Sequence, residues 1–96
     1  MVVGILQLEL TIEGAVSLKD KRRVVRSLKD RLHHDHRVSV AEVGHQDVHQ
    51  TALLGVALAS SDVTTAQSVL DKLVDRIRIG RGYVLSDHRI EILSGQ

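Results

Sequence analysis

Val2-Val3-Gly4-Ile5-Leu6-Gln7-Leu8-Glu9-Leu10-Thr11-Ile12-Glu13 opens the chain, and its alternation decides the architecture. Val2, Leu6, Leu8, Leu10 and Ile12 fall on one side, with Gly4 in line. Gln7, Glu9, Thr11 and Glu13 take the other, after Val3 and Ile5. A period of two sustained this long describes a strand with one buried face. Gly14 ends it, and Ser17 then reads as a helix N-cap with Asp20 as its acidic partner three residues on.

From Leu18 the period changes. At about 100° per residue, Leu18, Val24, Val25, Leu28 and Leu32 share one arc. Lys19, Arg22, Arg23, Arg26 and Lys29 occupy another, roughly 120° wide. Lys21 projects into the apolar arc in the first turn, where its stem is expected to snorkel out over the sheet edge. Asp20 and Asp30 are expected to lie off the basic arc.

Val38–Val43 is a second strand, rich in β-branched residues. Gly44-His45-Gln46-Asp47-Val48-His49 reads as a connection, and Thr51–Ala59 as a third strand. That strand is apolar on both sides: Ala52, Leu54, Val56 and Leu58 on one, Leu53, Gly55, Ala57 and Ala59 on the other. A strand of this kind lies centrally or has its second face covered. Asp62 caps a second helix whose stripe is Val63, Ala66, Val69, Leu70, Leu73, Val74 and Ile77. Gly80 and Gly82 end it, and Val84–Leu93 closes the series. The order β-α-β-β-α-β, with right-handed crossovers, predicts an α+β ferredoxin-like plait. Residues 1–96 then form a single domain: a four-stranded antiparallel sheet with two helices on one face, the first and third strands central. The open sheet face, with Leu53, Gly55, Ala57 and Ala59 at its centre, is expected to form a homodimer.

Composition narrows the function. The 96 residues include no cysteine and no asparagine, which excludes disulfide frameworks, thiolate chemistry and N-glycosylation. Met1 leads directly into Val2 and Val3 without a basic leader, and no apolar run approaches the roughly 20 residues a membrane helix needs. A cytoplasmic location away from the membrane is the expectation. Tyr83 is the lone aromatic, so Leu, Val, Ile and Ala must fill the core.

Charge is unevenly placed. Lys19 to Arg31 holds seven Lys/Arg and two Asp, a local +5 in a chain of net +1. A basic helix face offers counterion-releasing contact with phosphates, and the helix start adds backbone donors near Ser17. Lys19, Lys21, Arg22, Arg23, Arg26 and Lys29 are the candidate nucleic-acid-binding residues. With no aromatic on the central strands for base stacking, RNA contact would fall to phosphates on the helix side, with little sequence preference.

Other clusters carry less. His33-His34-Asp35-His36 follows the first helix, and His45, Asp47 and His49 punctuate the hairpin connection. His45 and His49 on an extended strand would stand about 13 Å apart, too far for one ion; only a curled loop would unite them. Ser60-Ser61-Asp62 fits a cap better than a nucleophile. Glu42, His45 and Asp47 are an acid–base group without a nucleophile elbow or phosphate-cradling loop. No catalytic residue, metal or cofactor is assigned, and the chain is not read as an enzyme.

Ser17-Leu18-Lys19-Asp20-Lys21-Arg22-Arg23, with Ser39-Val40-Ala41-Glu42-Val43 and His45-Gln46-Asp47, resembles the YlxP-like family of small bacterial proteins, a domain of unknown function. The resemblance spans essentially the whole chain, departing at Gly44 and His49. It implies a ferredoxin-like fold. Its members' genes lie among translation and ribosome-maturation genes, which implies an RNA or ribosome partner. The leading expectation is a non-catalytic protein that binds RNA or the ribosome through the first helix. Alternatives are a homodimeric scaffold module whose basic helix meets an acidic protein, and a sensor of a small ligand or metal.

Overall fold

A computed structural model describes Met1–Gly95. The elements run β1 (Val2–Thr11), α1 (Leu18–His36), β2 (Ser39–Gly44), β3 (Thr51–Ser60), α2 (Val63–Arg78) and β4 (Val84–Ser94). The strands form one antiparallel sheet in the order β2-β3-β1-β4, with β1 and β3 central. This is the ferredoxin-like plait, with both helices on one face of the sheet.

The alternation of β1 is realised in full. Leu6, Leu8, Leu10 and Ile12 are buried under the helices, while Gln7 lies exposed on the other face. Opposite them Ala52, Leu54 and Val56 of β3 point inward at matched register, so one face of the central strand pair is continuous and apolar. Leu28 and Leu32 of α1 and Leu70, Leu73 and Ile77 of α2 close over it. Gly4 admits α2 closely: a Cβ there would lie 3.0 Å from Leu70 Cδ1.

Two bulges shape the edges. One falls between Glu42 and Gly44 of β2, which makes Val43 the extra residue and leans it over the bare backbone of Gly55. The other lies on β4 where β1 passes from Glu9 to Leu10; there the Ser86 hydroxyl meets that of Thr11.

Both helix starts follow their local chemistry. Ser17 Oγ accepts from Asp20 N–H at 3.2 Å, satisfying a free donor of the first turn, and Asp20 Oδ2 accepts from Val16 N–H, just before the cap, at 3.0 Å. At α2, Asp62 Oδ1 accepts from Thr65 N–H at 2.7 Å and Oδ2 from the Thr65 hydroxyl at 2.8 Å. These bonds hold the Asp62 carboxyl below its ordinary range, the Thr65 backbone bond being the larger cause. A carboxyl lowered on folding stabilises above its unfolded value, about 3.9, and loses that contribution as pH falls through its folded value. Thermal midpoints followed from pH 6 to pH 2 are expected to fall less steeply for Asp62→Asn than for the parent chain. Parallel curves would show that this cap does not contribute to the acid limb.

α1 extends further than its apolar stripe suggests. It runs through His36, so His33, His34 and His36 form its last turn rather than a following loop. Arg37 then adopts a left-handed conformation, φ 53°, and donates its N–H to His33 O. His33 Nδ1 lies 2.9 Å from Val38 O across this corner.

Candidate nucleic-acid interface

The outward side of α1 is basic because its inward side is committed to the sheet. Lys19, Arg22, Arg23 and Arg26 are exposed and Lys29 is half-buried at the flank. Lys19, Arg22, Arg23 and Arg26 line a shallow concavity of about 610 Å³, together with Ser27, Asp30 and Arg31. Arg31 was not among the sequence candidates. Its signal was present: it follows Ser27 by four residues, one turn further along the same side of the helix.

Asp30 departs from expectation in the opposite sense. It lines the concavity with the cations instead of lying off their arc. Eleven residues after Lys19 make about three helical turns, so the two share a side. The basic face is therefore interrupted by one carboxylate, and an approaching polyanion meets Asp30 as well as five cations.

Lys21 is no part of this face. Its side chain is 1% exposed, and its ammonium turns under the sheet edge instead of emerging into water. It donates to His45 O at 2.7 Å and Gln46 O at 3.4 Å. Glu42 Oε2 lies 2.9 Å away, paired by charge but off the line of a straight hydrogen bond. Glu42 occupies a core-facing position of β2 below the first turn of α1, and His45 and Gln46 begin the connection to β3. Two backbone acceptors and one opposite charge thus surround the ammonium, which makes the burial tolerable. Lys21 leaves the candidate contact set and becomes a clamp between α1 and the β2–β3 connection.

The same clamp accounts for the hairpin cluster. His45 takes φ 58°, and its carbonyl accepts from Val48 N–H at 3.0 Å as well as from Lys21. The connection is thus held through His45's backbone, and Glu42 is engaged with Lys21 rather than with His45 or Asp47. Among the described residues, no three His, Asp or Glu side chains converge in an arrangement able to hold a metal ion.

At the far end of α1, Asp35 Oδ2 accepts from Arg76 at 3.0 Å, tying α1 to α2, and Asp35 Oδ1 meets His34 Nδ1 at 3.1 Å. The bond to His34 leads, with Arg76 adding to it, in holding the Asp35 carboxyl below its ordinary range. Tyr83 is buried, and its hydroxyl donates to Ile77 O at 2.7 Å. Burial raises its pKa, so the phenol stays protonated and keeps that bond. The one aromatic ring is thereby placed beneath the α2–β4 loop, not on the open sheet. Gly80 is required beside it, because a Cβ at that position would collide with the Tyr83 hydroxyl.

No helix among the described residues is long and apolar enough to cross a membrane. Residues 3–90 match the family described as "Protein of unknown function (DUF503)". The chain is also similar to "Uncharacterized protein YlxP" of Bacillus subtilis (strain 168): 32% identical over 72 residues, covering 75% of this chain and 78% of that relative. With the plait's element order and a family match across nearly its whole length, the chain belongs to the DUF503 family, whose function is unknown.

Proposed function

We propose that the protein binds RNA, free or within the ribosome, through phosphate contacts made by the outer face of α1. The observation that carries this reading is the shared concavity of Lys19, Arg22, Arg23, Arg26 and Arg31 on one side of one helix, with Lys29 at its flank. Among the described residues, none of these six cations has a carboxylate within ion-pair reach. They remain available to displace counterions from a phosphate backbone, a sequence-independent contribution that weakens as salt rises. The location of Tyr83 beneath a loop supports the same division of labour, since the sheet carries no aromatic platform for bases. The test is RNA affinity measured against salt, for the parent chain and for Arg22→Glu/Arg26→Glu. A steep inverse salt dependence lost in the double variant supports the reading. Equal affinity in the two proteins rejects the assigned face.

A second reading concerns assembly, and the open face of the sheet favours it. Val43, folded over Gly55, walls a groove of about 380 Å³ with Ile5, Ala41 and Ala57. We propose that a second copy of this chain covers it. Four strands about 4.8 Å apart, of ten, six, ten and eleven residues, present roughly 600 Å² per copy, so two copies bury about 1,200 Å², the lower bound for a stable interface. The β1–β4 half of the face carries Arg89 with Glu9, Asp87 and Glu91, a net −2 per copy, so contact between copies centres on the apolar groove beside it. A dimer of this kind leaves α1 outward on both copies, which allows two-point attachment to one RNA. Ile5→Lys, placed opposite Glu91 so that the sheet tolerates it, is expected to give a monomer by light scattering where the parent chain is dimeric. A parent chain that stays monomeric at high concentration would remove this reading.

A further inference from the structure

The second half of α1, the end of α2 and the loop into β4 enclose a cleft of about 310 Å³. Leu28, Leu32, Ile77 and Tyr83 give it an apolar floor. Ile79 stands at its rim, 81% exposed, a large apolar side chain in water with nothing over it. Arg31, Arg76 and Arg81 surround it. Arg76 is paired with Asp35, and among the described residues Arg31 and Arg81 have no carboxylate within ion-pair reach. His36, also lining the cleft, has its Nε2 buried without a hydrogen-bond partner. That nitrogen is enclosed by protein atoms, so it adds nothing to the open surface of the cleft.

We propose that this cleft receives one nucleoside phosphate unit, supplied as an unpaired nucleotide of an RNA strand whose backbone runs along α1. The proposal rests on the phosphate-binding reading of α1 and extends it from charge to a base site. Three features select this chemistry. The floor is apolar and small, at the lower limit of ligand sites, which suits a single planar base. The rim is cationic, which suits the attached phosphate. Arg31 lines both this cleft and the basic concavity of α1, so a backbone following the helix reaches the cleft without a gap in positive charge.

Electrostatics also orients the unit. The carboxyl end of α2 opens into the cleft, and its carbonyl dipoles disfavour an anion there. The neutral base therefore lies toward Ile77 and Ile79, and the phosphate toward Arg31 and Arg81. Bases of single strands are free to enter such a site because they are already unpaired, whereas those of a duplex are not.

The test uses the full chain and three probes: a labelled single-stranded oligoribonucleotide, a blunt RNA duplex of equal length, and adenosine monophosphate. Ile79→Ser alters one exposed side chain of the cleft and leaves its charge unchanged. It is expected to weaken single-strand binding about ten-fold, the effect of losing one base contact. Duplex binding, which needs phosphates alone, should stay within about two-fold. If the cleft variant binds the single strand as tightly as the parent while Arg22→Glu/Arg26→Glu loses both RNAs, the cleft is overturned and the phosphate reading survives. An equal loss on single strand and duplex also overturns it, since the lost contact would then not be one to an unpaired base. If the parent chain binds neither RNA, the phosphate reading falls and adenosine monophosphate decides the cleft. Amide shifts at Ile79, Gly80 and Arg81 would support a free nucleotide as its occupant; unchanged amides would overturn it.

Discussion

Lys21→Ala is expected to lower the unfolding free energy by about 3 kcal/mol, the low end for breaking a buried ion pair. The low end applies because Glu42 keeps a fifth of its side chain exposed, so its orphaned charge is partly hydrated. The carbonyls of His45 and Gln46 lose their donor at the same time. A small domain holds about 5–15 kcal/mol in total, so this one substitution removes a large share of it. The thermal midpoint should fall by roughly 15 °C. Lys21→Met/Glu42→Leu is the informative companion. It removes both charges and keeps the apolar volume, and it is expected to recover most of the loss, because buried pairs exchange for hydrophobic packing at little net cost. A Lys21→Ala midpoint within about 2 °C of the parent would show that the clamp does not support the β2–β3 connection. The charge-free pair should also bind RNA like the parent chain, since Lys21 does not reach the outer face of α1.

The second large effect falls on binding and leaves the fold alone. Arg22 and Arg26 are both exposed, one turn apart, on the concave side of the basic face. Each phosphate contact on a single strand contributes about 0.7 to the slope of log affinity against log salt. Four or five contacts give the parent chain a slope near −3, and loss of two should flatten it by about 1.4. At 0.1 M salt the same two contacts are worth more than an order of magnitude. Reversal adds repulsion, for a total loss of about 100-fold in Arg22→Glu/Arg26→Glu. Arg22→Lys/Arg26→Lys keeps the charge and should retain most of the affinity if phosphates are met as point charges. A large loss in the lysine pair would instead point to forked guanidinium contacts.

The plait could be read from spacing because its signals are short-range. The period of two in Val2–Thr11, the doubly apolar Thr51–Ser60 and the capped stripes of α1 and α2 each depend on neighbours within a turn or a strand. Element ends were less legible. His33-His34-Asp35-His36 carries no apolar stripe, yet it continues α1. The continuation rests on the Arg37 cap and on the tie between Asp35 and Arg76, 41 residues apart in the chain. The interface was legible as a charge density and not as a set of positions. Arg31 and Asp30 entered it, and Lys21 left it.

Lys21 marks the boundary between the two kinds of information. Its inward direction followed from its place three residues after Leu18 and four before Val25, a matter of helical period alone. Its acceptors did not follow. They lie on β2 and the connection beyond it, brought beneath the first turn of α1 by the sheet order β2-β3-β1-β4. The sequence by itself determined the elements, their buried faces and the concentration of positive charge on α1, because covalent spacing sets which side chains share a side. Only the tertiary structure decided which cations remain free, where Tyr83 goes, and that Arg31 joins the α1 face to a cleft beside α2. Those outcomes depend on contacts between segments far apart in the chain, and local periodicity carries no record of them.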